Sequence, residues 1–132
     1  MNTTTRTLTI AWLGGIPIAI INGAIRNYGY APYTGPLLAH QISSIIAVIL
    51  FASYLWILNK RWTMTSTNQS LQIGASWLIL TILFEFVFGH YVMGHTWATL
   101  LTDYNIFAGR IWSLVLFWTL IGPYVIYRVA QG

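Results

Sequence analysis

Four stretches of this chain are apolar for about 20 residues each, the length an α-helix needs to cross a hydrocarbon core of roughly 30 Å at 1.5 Å per residue. They run from Leu8 to Arg26, Leu37 to Leu58, Leu71 to Met93 and Ile111 to Arg128. Together they take up most of the 132 residues, which leaves room only for short connections. The predicted fold class is therefore all-α, an integral membrane four-helix bundle forming one transmembrane domain over residues 1–132. Charge supports this: 6% of the residues are charged, against roughly 25% in an average soluble domain. A net charge of +4 made from so few groups is too sparse for a nucleic-acid footprint, so no nucleic-acid partner is expected and the bilayer is. The chain contains no cysteine, which removes disulfides, thiolate metal sites and thiol nucleophiles.

The first segment follows Arg6 and could pass for a signal peptide. Asn22, Gly23 and Ala24 make a poor cleavage site, however, and Arg26 follows at once, so it reads as a retained helix. Pro17 and Pro123 lie inside the first and fourth segments, where a missing N–H and a bulky ring predict bends. Lys and Arg concentrate on one side: Arg6, Lys60, Arg61 and Arg128, against Arg26 and Arg110 on the other. By the positive-inside rule both termini are predicted to be cytoplasmic, in the cytoplasmic-type membrane of a prokaryote. Trp12, Trp56, Trp62, Trp97, Trp112 and Tyr127 fall near segment ends as an interfacial belt, while Trp77 and Trp118 lie deeper and are expected to pack between helices.

The connections differ. KRWTMTSTNQS, from Lys60 to Ser70, reads as a solvated connector. NYGYAPYTGP, from Asn27 to Pro36, predicts a compact turn on the membrane surface. HTWATLLTDYNIFA, from His95 to Ala108, carries Trp97, Leu100, Leu101 and Tyr104 at helical spacing and predicts a short interfacial helix before the fourth span. Asn2 and Asn68 open glycosylation-like triplets, but both fall on the predicted cytoplasmic side and are read as chance.

Polar residues inside the spans need a partner, water or a function. Gly15, Ala19, Asn22 and Arg26 share one face of the first helix. His40, Ser44, Ala47 and Phe51 share one face of the second, with Gln41 and Ser43 beside them. Gly74, Leu78, Thr81, Glu85 and Gly89 form the stripe of the third, and Arg110, Ser113 and Phe117 that of the fourth. If all four stripes face inward, a polar site forms in the outer half from Asn22, Arg26, His40, Gln41, Glu85, His90 and Arg110. Glu85 lies about 12 Å below Met93 along the helix, where a carboxylate is either neutral or paired. Because side chains lean toward the N-terminus of their helix, Arg26 leans into the membrane and is the expected partner of Glu85, while Arg110 leans out toward Asp103. The competing reading is a Glu85 that only fixes helix packing.

The leading functional expectation is binding or translocation of a small solute, ion or lipid headgroup. An alternative is a haem-binding or structural subunit of a membrane redox complex, with His40 and His90 at matched depth as haem b ligands. Histidines at an interface more often hydrogen-bond to neighbouring groups, so neither metal nor cofactor is expected. The chain lacks G-x-S-x-G, H-E-x-x-H, a phosphate loop and a paired acid and base, so an enzyme ranks below binding. Small residues spaced four apart, Gly15 with Ala19 and Ser43 with Ala47, predict close packing that could extend to a homo-oligomer or a larger membrane complex.

NGAIRNYGYAPYTGPLLAHQIS, from Asn22 to Ser43, and FEFVFGHYVMGHTWATLLTDYNIFAGRIW, from Phe84 to Trp112, resemble small four-helix prokaryotic integral membrane proteins of unknown function. That resemblance implies the four-helix layout and no activity. ITILFEF around Glu85 lacks the T-T-F-S-T run of fluoride channels, and the first helix has Asn22 and Arg26 where small multidrug exporters carry a glutamate.

Overall fold

The computed structural model describes residues 3–102 and 112–131. Within them lie α1 (Thr3–Ile10), α2 (Trp12–Ile25), α3 (Ala31–Thr34), α4 (Pro36–Arg61), α5 (Thr67–Val87), α6 (Trp97–Thr102) and α7 (Trp112–Gln131), with π-helical turns at Arg26–Tyr30 and Phe88–Val92. Four helical stretches are long and apolar enough to cross a membrane: Thr3–Thr34, Pro36–Arg61, Thr67–Val92 and Ser113–Gln131. The chain is an all-α, four-helix membrane protein. Below, the termini end is the end holding both termini and the α4–α5 connection, and the far end is opposite.

The first span starts earlier and ends later than its hydropathy suggested. It absorbs Thr3 to Leu8 at one end and, through the π turn and α3, most of the segment expected to be a surface turn at the other. Pro32 stands in the first turn of α3, where its missing N–H costs no helical bond. The reversal falls instead on Gly35, whose φ of 87° is a conformation that side chains disfavour, and Pro36 then opens α4. Helix continues through Pro17 and Pro123. The interruption in the first span is at Ala11, where the carbonyl is taken by the N–H of Gly14 and by the Tyr54 hydroxyl, 2.7 Å away.

Lipid tails are as apolar as leucine, so helices here are held by close packing and by hydrogen bonds between them. The closest approach is α5 on α7: a Cβ added at Gly74 would fall on the backbone carbonyl of Leu120. Side-chain donors tie the first span to its neighbours. The indole N–H of Trp77 donates to the Leu8 carbonyl at 2.9 Å, that of Trp12 to the Thr81 hydroxyl at 2.9 Å, and the Gln69 amide to the Thr5 hydroxyl at 2.9 Å. Trp12 was expected at the interface. With the helix beginning at Thr3 it falls deeper, against Thr81 and edge-on to Phe84.

The termini end is the packed end. Leu8, Leu55, Leu58, Met64, Ile73, Trp77, Ile126 and Tyr127 form one buried cluster there. The α4–α5 connection is exposed at Thr63, Thr65, Ser66, Thr67 and Asn68, as its polarity predicts, but it is anchored at Met64. Met64 is 3% exposed, and its N–H donates to Asn59 Oδ1 at 2.8 Å. The N–H of Thr65 donates to Gln69 Oε1 at 2.7 Å, and Ser66 Oγ caps α5 by accepting from the Gln69 N–H. The two buried amides replace the water that would otherwise serve these backbone groups.

Candidate functional site

At the far half the four spans enclose a cavity of about 380 Å³. That lies within the roughly 300–1,000 Å³ of small-molecule sites. The first span supplies the whole stripe read from its sequence, Gly15, Ala19, Asn22 and Arg26. α4 supplies His40, Gln41, Ser43, Ser44, Ala47 and Phe51, and α5 supplies Thr81 and Glu85, with Gly89 from the following π turn.

Asn22 Nδ2 donates to the Ser43 carbonyl at 3.0 Å, and an Arg26 terminal nitrogen donates to Ser43 Oγ at 3.3 Å. Both side chains thus end on one residue of α4, so the Arg26 guanidinium dips to the level of Asn22, one turn below its own Cα. Its Nε donates to Asn27 Oδ1 at 3.0 Å. The inward lean inferred from helix direction is what this geometry contains. Arg26, His40, Gln41 and Glu85 each also engage neighbouring groups within the protein. The result is a polar belt around the cavity with, among the described residues, one guanidinium and one carboxyl group.

Two sequence-selected positions lie elsewhere. His90 is not among the lining residues. Its Nδ1 is 2.8 Å from the His95 carbonyl, and its ring stacks on Trp97 at 3.7 Å between centroids. His90 stands five residues after Glu85, about 140° around the helix, so it leaves the face that carries Glu85. His40 and His90 are therefore not brought to one cavity. Phe117 is 59% exposed, and the cavity face of α7 is formed by Val115, Trp118 and Thr119. Two residues along a helix is about half a turn, so a stripe set by Ser113 points the opposite way. Arg110 and Asp103 lie outside the described residues.

Sequence reasoning missed the cover over the mouth. α6 lies at the far end with Leu100 3% exposed, lining the cavity and seated on Gly89, where an added Cβ would meet a Leu100 methyl at 2.7 Å. The sequence signal was the helical spacing of Trp97, Leu100 and Leu101, which predicts an interfacial helix but not what it rests on. Below the belt the cavity ends on Trp12, Leu55 and Trp77, and Leu55 and Trp77 belong to the packed cluster of the termini end.

These features define a membrane-embedded helix bundle with an internal amphiphilic cavity. No known protein family, curated protein or solved structure matches the chain.

Proposed function

We propose that this membrane protein binds a small solute, ion or lipid headgroup in the far half of its bundle. The observation that carries the reading is the convergence of Asn22, Arg26, His40, Gln41 and Glu85 on one cavity of about 380 Å³. Ionisable groups inside a span are costly, and three separate helical elements spend them at the same place. A structural role alone would be served by a filled interior, whereas here the polar side chains line a cavity. The packed cluster beneath the cavity favours binding over an open conduit, and any translocation would require that cluster to part. Because His90 is held by Trp97 and His95, the geometry lends less support to haem held between helices.

The test is small-molecule mass spectrometry on protein purified in mild detergent. Wild-type protein should carry a co-purifying species that is lost from Ala47→Phe, which fills the cavity, and reduced in Arg26→Gln. An identical small-molecule inventory in all three, with each variant folded by circular dichroism, would contradict binding at this site.

A further inference from the structure

At the packed end the charged side chains are all of one sign among the described residues. The sequence holds two carboxylate side chains, Glu85 and Asp103. Glu85 lines the cavity in the far half, and Asp103 follows the last residue of α6 in the sequence. Arg6, Lys60, Arg61 and Arg128 are all exposed at the opposite end. A run of hydrogen bonds brings them to one level: the Gln69 amide donates to the Thr5 hydroxyl at 2.9 Å, the Thr65 N–H to Gln69 Oε1 at 2.7 Å, and the Tyr127 hydroxyl to the Thr65 carbonyl at 3.4 Å. Thr5 stands next to Arg6, Tyr127 next to Arg128, and Thr65 four residues after Arg61. Helix ends do not offset these charges. This end holds the C-termini of α4 and α7 and the N-termini of α1 and α5, whose partial charges of roughly −0.5 and +0.5 cancel in pairs.

Two of the cations rest on fixed platforms. Asn59 turns its side chain inward to the Met64 N–H, so Lys60 and Arg61, about 100° and 200° further round α4, project from the bundle. The Lys60 ammonium lies 5.7 Å from the centre of the Trp56 ring, and the Arg61 guanidinium 5.3 Å from that of Trp62. Both indoles pack against the buried cluster of this end. Each cation therefore has one side on a ring that cannot easily move, and its other N–H donors remain open to an acceptor. Trp56 precedes Lys60 by one helical turn, so the ammonium leans back along α4 toward the bilayer. That puts it at the headgroup layer, where indoles also settle.

The acceptors of that layer are lipid phosphates. A zwitterionic headgroup brings its own cation to such a site, whereas an anionic one brings net charge that four basic residues attract together.

We propose that Lys60 and Arg61, braced on Trp56 and Trp62, hold the phosphate of an anionic phospholipid in the leaflet at the packed end, with Arg6 and Arg128 adding to the attraction. This site lies at the other end from the cavity, so the inference does not depend on what the cavity binds.

The experiment counts lipids retained by the full chain in native mass spectrometry. Protein in non-ionic detergent is titrated with phosphatidylglycerol and, separately, with phosphatidylcholine of the same acyl chains. Wild type should retain the anionic lipid in preference. Lys60→Gln and Arg61→Gln, each folded by circular dichroism, should each weaken its binding about fivefold and leave phosphatidylcholine unchanged. The charge-conserving Lys60→Arg should keep the preference. Equal retention of the two lipids by wild type, or an anionic preference that survives both Gln substitutions, would overturn the proposal. Retention of neither lipid would also overturn it and leave the basic patch to an acidic protein. Glycerol 3-phosphate, an anion without acyl chains, should not displace the lipid at equal concentration, and displacement would replace the lipid site by one for a free phosphate. If a variant fails to fold, the wild type still decides: raising ammonium acetate about tenfold should reduce retention of phosphatidylglycerol alone, and a preference indifferent to salt would contradict a charge-held lipid.

Discussion

At Gly74 the missing side chain is what lets α5 meet the backbone of α7 at Leu120. Gly74→Ala drives a methyl group into a carbonyl that cannot rotate away, so the helices must separate. Overpacking of this kind costs about 1–3 kcal/mol, and here backbone rather than a side chain must yield. Gly15→Ala is the natural control: its Cβ would sit 3.5 Å from the Phe51 ring, an ordinary contact. Thermal unfolding in detergent should show a clear loss for Gly74→Ala and little change for Gly15→Ala. Asn59→Leu tests the other kind of dependence, since it leaves the Met64 N–H buried without its acceptor. An unsatisfied buried donor costs about 1–3 kcal/mol. The same melting assay should place Asn59→Leu below wild type, while Asn68→Leu, on the exposed face of α5, stays close to it.

At the scale of elements, α6 and the α4–α5 connection show what periodicity could and could not reveal. The stripes of the first two spans line one cavity whole because residues three and four apart must share a face, whereas of the third only Thr81, Glu85 and Gly89 line it and Gly74 meets α7 at Leu120. The fourth was misphased because Arg110 and Ser113 are polar and drew the inward face onto Phe117, whereas the apolar Val115, Trp118 and Thr119 side is the one turned in. Polarity cannot locate the inner face of a helix whose outer face meets lipid. Neither could it disclose the two side-chain amides, of Asn59 and Gln69, that anchor an otherwise exposed connection. His90, five residues and about 140° beyond Glu85, was legible as off that face, and what the pattern did not reveal is its packing on Trp97 and the His95 carbonyl. The cover formed by α6 depends on the stack of Trp97 on His90. Trp97→Ala should release it, and a thiol at Leu100→Cys, buried when α6 is seated, should then react several-fold faster with a small maleimide than in the Trp97 background.

For the molecule as a whole, the asymmetry between ends is the main result. One end is filled by eight packed side chains, and the other holds a cavity bordered by ionisable groups. The small-residue pairs Gly15 with Ala19 and Ser43 with Ala47 serve that cavity from within one chain. The positive-inside rule predicts that the packed end faces the cytoplasm, since it carries Arg6, Lys60, Arg61 and Arg128, with Lys60 5.7 Å over the Trp56 ring and Arg61 5.3 Å over that of Trp62. The cavity should therefore open away from the cytoplasm. Because the chain has no cysteine, single thiols report cleanly. Thr67→Cys should resist a membrane-impermeant reagent in intact cells and react once they are opened, while Tyr33→Cys, at a position 88% exposed, should react from outside.

The central claim, a cavity reachable from the far end and closed at the other, is tested most directly by a thiol scan down α4. Single cysteines at Ser44, Ala47, Phe51, Leu55 and Asn59 are exposed in proteoliposomes to a small thiol reagent from each face in turn. The account predicts reaction at Ser44→Cys and Ala47→Cys from the far face and no reaction at Asn59→Cys from that face. Uniform protection along the helix, or reaction that continues past Leu55 to Asn59, would contradict it.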